Sequence, residues 1–207
     1  MSSLSTVIIS SPARMYLLVT GIVLFMSGIS LADVPSDLMK NQVVPDVINK
    51  APVNEVEVEY GKKKVRVGEE LTPTEVKNAP EIDYKDDDDA LYTLIMTDPD
   101  APSRQTPTNR EFVHWLVGNI PEDEVSKGDV LAPYVGSGPP KGTGLHRYVF
   151  LVYKQKGKIT FNEPQLTSNG KEGRRNFSAK KFAEKYNLGD PIAANMFQAQ
   201  WDQSVSN

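Results

Sequence analysis

The chain has 207 residues, of which 39% are hydrophobic and 24% charged, and it contains no cysteine. This composition is that of a globular protein with one hydrophobic core, and the lack of cysteine excludes disulfide scaffolds, thiol catalysis and cysteine-ligated zinc. The formal net charge of −4, with lysines and arginines scattered along the chain, argues against the basic footprint of a nucleic-acid-binding protein.

The first 32 residues have the layout of a secretory signal peptide. They contain no acidic residue and one base, Arg14, followed by an apolar run from Met15 to Met26. Ser30-Leu31-Ala32 fits the small-x-small cleavage rule. The alternative is a membrane anchor, for which the apolar run is short. We therefore predict a signal peptide at 1–32, a secreted extracellular protein, and Asn176-Phe177-Ser178 as a glycosylation sequon.

The mature chain is expected to begin with an extended lead-in at 33–52, because this stretch is polar and interrupted by prolines, and to contain one helical turn at most. The domain proper is assigned to 53–207. Glutamates alternate with apolar residues through Glu55–Tyr60, and a Gly61-Lys62 turn leads into Lys64–Val67. This period of two predicts a β-hairpin with one wet face.

The acidic stretch Asp83–Ala90 has two interpretations. It reproduces most of a common acidic epitope tag, but it also fits a natural solvated loop between a turn and a strand. We favour the natural loop, because added tags usually stand at chain termini.

Three further runs predict strands, and one predicts a helix. Leu91–Thr97, Phe112–Val117 and Arg147–Tyr153 are rich in β-branched and aromatic residues. Ser178–Tyr186 has a capping serine and an i, i+4 aromatic pair, and a second short helix is expected after Asp190-Pro191. Strands joined by irregular loops favour a mostly β fold, an antiparallel sandwich with a few peripheral helices.

Both histidines of the chain fall in or beside predicted strands. With a period of two, His114 shares a face with Phe112 and Leu116, and His146 shares a face with Tyr148. Histidines beside aromatic residues and a glycine-rich loop predict a shallow pocket with a few hydrogen-bond donors.

The glycine-rich loop itself is open to several interpretations. Gly136 and Gly138 either turn the chain or let backbone N–H groups approach an anion. Ser137 with a histidine and an aspartate supplies the residue types of a hydrolase, but Val135 stands where the nucleophile elbow needs glycine. The position of Lys141 does not match a P-loop, and no ligand spacing supports a metal site. We therefore predict a protein that is not an enzyme and has neither cofactor nor metal.

Three segments, taken together, resemble a known family. They are DPDAPSR at 98–104, REFVHW at 110–115 and YVGSGPPKGTGLHRYVFLVY at 134–153. In order and spacing they are similar to the signature regions of phosphatidylethanolamine-binding proteins. The likeness extends from about Pro45 to Trp201.

The resemblance implies a large antiparallel sheet packed on a smaller one, and a pocket that accepts phosphate, acetate or a phospholipid headgroup. Position by position, it implies that the ligand-binding residues are Asp98, Asp100, Pro102, Phe112, His114, Gly136, Gly138, His146 and Tyr148. Aspartates, Pro102 and His114 would form the walls, the glycines would offer backbone donors, and His146 with Tyr148 would close the site. We expect loss of His146 to weaken anion binding with little loss of stability.

At three places the sequence departs from the family pattern, and each affects how the family's pocket applies to this chain. Phe112 replaces a tryptophan of many members, which keeps an aromatic wall and removes an indole donor. The sequence given ends at Asn207, shortly after Trp201-Asp202, so a pocket-covering C-terminal helix is not expected and the pocket should be more open. Lys181 aligns with the serine that mammalian kinase regulators use as a phosphorylation switch.

The expected function is a secreted, monomeric binding protein for phosphatidylethanolamine headgroups or other small anionic or amphipathic ligands. One alternative is an interaction protein that regulates a kinase pathway or inhibits a serine protease. Another is an odorant or pheromone carrier. Contact with a membrane surface is compatible with these functions, and nucleic acid is not expected as a partner.

Overall fold

The computed structural model describes residues 33–167, 170 and 172–205, so the predicted signal peptide lies outside the described part. No helix within these ranges is long and apolar enough to cross a membrane. The helices and strands are α1 (Val34–Lys40), α2 (Val43–Asp46), β1 (Asn54–Glu55), β2 (Glu57–Tyr60), β3 (Lys63–Lys64), β4 (Glu81–Asp83), β5 (Leu91–Asp98), β6 (Phe112–Pro121), β7 (Asp129–Ala132), β8 (His146–Lys154), α3 (Ala179–Lys185) and β9 (Ala193–Ala199).

The strands form two sheets. The larger has the order β1-β9-β8-β5-β6-β7, and the smaller has the order β3-β2-β4. Every pairing is antiparallel except that of β1 with β9, so the large sheet is mixed at one edge. The mostly β fold with a large and a small sheet confirms the prediction, with this one parallel pair as a refinement.

The large sheet is covered on both faces, and its strand β8 is accordingly apolar at nearly every position. Tyr148, Phe150 and Val152 pack with residues of the small sheet. Val149 and Leu151 point the other way and pack with residues of α1 and α3. Full burial of one such side chain stabilises a fold by about 1.5–3 kcal/mol. The central strands are therefore held by apolar layers on each side.

Most of the predicted elements are confirmed. The hairpin is formed by β2 and β3, and the three apolar runs form β5, β6 and β8. Helix α3 begins after Ser178, whose side chain accepts a hydrogen bond from the backbone N–H of Lys181. Its Phe182 and Tyr186 rings lie 4.8 Å apart, as the i, i+4 spacing predicts.

Two local predictions are wrong. The lead-in is not extended, because Val34–Lys40 forms a helix that buries Val34 and Leu38. Pro35 sits in the first turn, where a missing N–H costs nothing. The residues after Asp190-Pro191 form β9 instead of a helix. Seven residues of β9 pair with β8, so tertiary pairing overrides the local start signal.

A β-bulge changes which side chains share a face of β6. Met96 pairs with Trp115 and Thr97 pairs with Val113, so His114 is an extra residue between them. Leu116 consequently packs with the helix-covered face, as Val113 does. The expectation that His114 and Leu116 share a face is wrong, because strict alternation does not hold across a bulge.

Candidate functional site

A cavity of about 410 Å³ collects eight of the nine predicted binding residues. It lies where β5 ends and where β6 and β8 begin, beside the glycine-rich loop. The predicted residues that line it are Asp98, Pro102, Phe112, His114, Gly136, Gly138, His146 and Tyr148. Residues about 50 positions apart in the sequence thus meet at one end of the large sheet.

Asp98 and His146 form a buried pair at the base of this cavity. Asp98 Oδ2 accepts a hydrogen bond from His146 Nδ1 at 2.9 Å, and the imidazole is 1% exposed. On its other side, His146 Nε2 lies 2.9 Å from Thr143 Oγ1. Both ring nitrogens are therefore engaged within the protein, so the ring is fixed in orientation.

Asp100, the ninth predicted residue, does not line the cavity. Its carboxylate lies 2.6 Å from Arg147 Nη2 and also accepts the Arg147 backbone N–H at 3.0 Å. Burial alone would raise the pKa of Asp100, but the Arg147 guanidinium outweighs it and lowers that pKa. Asp100 is a structural ion-pair partner, and the prediction that it forms a pocket wall is corrected.

The ring of His114 lies between Phe112 and Tyr148, with ring centroids 4.9 and 5.1 Å away. Its Nδ1 is 2.8 Å from the Val135 carbonyl oxygen, which can only accept, so Nδ1 carries a proton. Burial lowers the pKa of His114, so the ring is neutral at pH 7 and Nε2 is an acceptor. The neutral ring therefore has no second N–H to offer an anion.

Tyr148 supplies a buried phenol on the cavity wall. Its ring stacks on Phe197 at 5.0 Å, and the residue is 1% exposed. Burial, with the nearby Asp98 charge, raises the pKa of Tyr148 well above its usual value. The hydroxyl therefore keeps its proton at any physiological pH and can donate it to a bound anion.

The two glycines of the loop serve different purposes. A Cβ on Gly136 would lie 2.8 Å from the Val76 carbonyl oxygen, so the close approach of that backbone requires glycine. A Cβ on Gly138 would meet nothing within 4 Å. Between them, the hydroxyl of Ser137 is buried and has no hydrogen-bond partner among the described residues. Ser137 lines the cavity, so an unused donor lies within the cavity wall.

The comparisons with known proteins agree with this geometry. The family profile of Phosphatidylethanolamine-binding protein matches residues 49–198. The chain is 38% identical over 165 residues to the Drosophila melanogaster protein named "Putative odorant-binding protein A5", covering 79% of each chain. The chain belongs to the phosphatidylethanolamine-binding protein (PEBP) family.

Solved structures of other PEBP-fold proteins are similar as well. A carboxypeptidase Y inhibitor, solved with its cognate proteinase, matches with a TM-score of 0.72 and 30% identity over 84% of this chain and 98% of that one. A phosphatidylethanolamine-binding protein from Plasmodium vivax matches with a TM-score of 0.69 and 27% identity, over 81% and 97%. The family predicted from the three sequence segments is confirmed.

The PEBP pocket also contains residues that sequence reasoning missed. They are Ala101, Asn109, Val135, Ser137, Pro139, Pro140, Gly170, Arg174, Arg175, Ser204 and Val205. Several come from loops far from the signature segments, where no local pattern marks a pocket residue. The Ala101-Pro102 peptide bond at the pocket is cis.

The C-terminal residues of this PEBP chain reach the pocket without a helix. Ser204 and Val205 line the cavity, and the side chain of Asp202 accepts hydrogen bonds from the backbone and hydroxyl of Thr74. This anchor holds the last described residues against the pocket mouth. A turn at the C-terminal end of the described residues therefore contributes to the wall that the sequence suggested would be open.

A second cavity of about 450 Å³ lies apart from this site, beside α3. It is lined by Tyr153, Lys156, Lys180 and Asp190, among others, and by none of the predicted binding residues. The described residues include no group of three or more potential metal ligands. The cavity at the glycine-rich loop, which is lined by residues of the signature segments, is therefore the candidate binding site.

Proposed function

We propose that this PEBP is a binding protein whose pocket holds the phosphate group of a phospholipid headgroup or another small anionic or amphipathic ligand. The observation that carries the proposal is that Tyr148, whose hydroxyl keeps its proton, lines a cavity whose loop also carries the unpartnered Ser137 hydroxyl. Phosphate oxygens accept hydrogen bonds. The Tyr148 oxygen accepts from the Gly138 backbone N–H, which leaves the Tyr148 O–H free to donate, and the Ser137 O–H has no partner among the described residues. Phe112 and Val205 supply apolar wall for the rest of an amphipathic ligand.

We propose binding without catalysis. The Ser137 hydroxyl makes no hydrogen bond to either histidine within the described residues. Both ring nitrogens of His146 are bonded, to Asp98 and Thr143, and Nε2 of His114 makes no hydrogen bond to Ser137 within the described residues. An activated nucleophile needs a base within hydrogen-bond reach. This arrangement therefore favours a binding role.

We also propose that the protein is secreted and acts outside the cell. The layout of residues 1–32 and the odorant-binding name of the Drosophila relative support this location. Asn176 is exposed, as a glycosylated asparagine must be. A carrier role for odorants fits the same pocket and remains within this proposal.

Protease inhibition is a second candidate function. The solved carboxypeptidase Y inhibitor shares the fold at 30% identity and was crystallised with its proteinase. An inhibition assay of this chain against carboxypeptidase Y tests the candidate directly. Inhibition that survives saturation of the pocket with phosphate would indicate a separate protein-binding surface.

The experiment for the anion pocket is a calorimetric titration of the purified protein with inorganic phosphate and with a short-chain phosphatidylethanolamine. Tyr148→Phe should lower the affinity about tenfold or more, because it removes one hydrogen bond to a charged group. Tyr153→Phe is the matched control, since Tyr153 is equally buried on the same strand and points to the opposite face. Absence of saturable binding by the folded wild type would overturn the proposal.

A further inference from the structure

Arg174 is a fully buried cation behind the wall of the anion pocket. It is 0% exposed, and all five of its N–H groups are used by backbone carbonyl oxygens. The carbonyls belong to Val113, His114, Pro133, Thr167 and Gly170, at 2.8–3.2 Å. The guanidinium thus ties the start of β6 to two loops around the pocket.

Within the described part of the chain, Arg174 has no acidic counter-ion. Every Asp and Glu side chain of the protein lies in the described residues, and none forms an ion pair with Arg174. Burial lowers its pKa, and no carboxylate offsets that effect. Arg147, equally buried, is paired with both Asp46 and Asp100. A buried charge without a partner is costly, so the fold retains Arg174 at a free-energy penalty.

The positive charge of Arg174 lies close enough to the pocket to act on a group bound there. Arg174 lines the cavity, and its charge helps to lower the pKa of His114. Arg175 lines the same cavity at its exposed mouth, and makes no ion pair within the described residues. Asp98 is the one carboxylate among the described lining residues. The pocket therefore has an excess of positive charge.

We infer that Arg174 and Arg175 make the pocket select a phosphate group that carries two negative charges over a zwitterionic phosphodiester headgroup. The inference rests on the proposed function and narrows its ligand class. A dianion supplies the counter-charge that Arg174 lacks. The ammonium of a phosphoethanolamine headgroup, in contrast, neutralises one negative charge of the ligand and is repelled by the two arginines. Both ligand classes carry a phosphate group, and comparing one ligand of each class distinguishes which of them the pocket prefers.

The test compares the affinities of methyl phosphate and glycerophosphoethanolamine by calorimetry at pH 8 and constant ionic strength. A phosphate monoester is a dianion at this pH because its second pKa is about 6. The key variant is Arg175→Gln, which removes a charge without breaking the carbonyl bonds of Arg174. Arg174→Lys keeps the buried charge with fewer donors. Arg66→Gln is the control, since the Arg66 side chain is 86% exposed and lies outside the pocket.

The wild type and Arg66→Gln should bind methyl phosphate about tenfold more tightly than the diester, as an uncancelled charge near two cations predicts. Arg175→Gln should narrow that ratio, and Arg174→Lys should retain it. Equal affinities in the wild type, or an unchanged ratio in Arg175→Gln, would overturn the inference while leaving the anion pocket intact. If the folded wild type binds neither ligand, the proposed function fails as well.

Discussion

Asp98 and Asp100 lie two residues apart and bind consecutive residues of β8, with different consequences. Asp98 holds His146 in the pocket, and Asp100 holds Arg147 on the opposite side of the strand. The two carboxylates are linked, because Asp98 Oδ1 accepts the backbone N–H of Asp100 at 2.7 Å. One turn of chain therefore fixes both the base of the pocket and the attachment of the N-terminal helices.

Replacing each aspartate by asparagine should separate these roles. Asp100→Asn leaves the buried Arg147 with a weaker counter-charge, and we expect it to lower the free energy of unfolding by about 3 kcal/mol. Asp98→Asn should lower it by about 1–2 kcal/mol, the cost of one lost hydrogen bond in a buried site. Urea unfolding measures both. A larger loss in Asp98→Asn than in Asp100→Asn would contradict the assignment of the structural ion pair to Asp100.

His146→Ala should reduce stability, and it should weaken anion binding only indirectly, because both ring nitrogens are already bonded within the protein. The sequence suggested that stability would be spared, but the structure shows His146 bound to Asp98 and Thr143 in a buried setting. Its removal leaves the Asp98 carboxylate without that partner, at a cost of about 1–3 kcal/mol. Tyr148→Phe, which keeps the stacked ring, should lose affinity at nearly unchanged stability. Equal melting temperatures for the wild type and His146→Ala would refute the structural part of this role.

Alanine at the two loop glycines should give opposite results. Gly136→Ala places a methyl group 2.8 Å from the Val76 carbonyl oxygen, and we expect a loss of about 1–3 kcal/mol from this overpacking. Gly138→Ala meets nothing within 4 Å and should stay within about 0.5 kcal/mol of the wild type. Thermal unfolding of the two variants compares them directly. Similar stabilities would show that the loop at Gly136 can move away from Val76.

The sequence predicted the strands well, because they depend on short-range patterns. Runs of apolar residues identify β5, β6 and β8 even though both faces of the sheet are buried. Resemblance in three segments brought together eight of the nine expected residues. Asp100 was misplaced, because the same motif carries a pocket residue and a structural one, and only three-dimensional contacts distinguish them.

The incorrect predictions have a common physical cause. Contacts between residues far apart in the sequence decide the structure where the local sequence pattern fits more than one conformation. The β-bulge at His114 arises from how β6 pairs with β5, and β9 forms because β8 offers it an edge. Arg174 lies in a loop 60 residues from the carbonyl of His114 that it binds. No periodicity marks such a residue, so the positive charge of the pocket could not be seen from the sequence.

Glu111 is buried beside the first turn of α3, and this position should make stability depend on pH. Its carboxylate accepts a hydrogen bond from the backbone N–H of Ala179. Burial nevertheless raises the pKa of Glu111 from its ordinary value of 4.5 to about 7. In this pH range the folded protein holds a proton that the unfolded chain releases. Stability must therefore fall as the pH rises from about 4.5 to about 7.

The change that tests this coupling is Glu111→Gln, which keeps an acceptor for Ala179 and cannot ionise. The wild type should lose about 3 kcal/mol of unfolding free energy between pH 4.5 and 7.5 from this group. The variant should show a flatter profile and should exceed the wild type in stability at pH 7.5. Urea unfolding at several pH values measures both curves. Parallel profiles would mean that Glu111 titrates alike in the folded and unfolded protein, since only a difference in proton binding between the two states produces a slope.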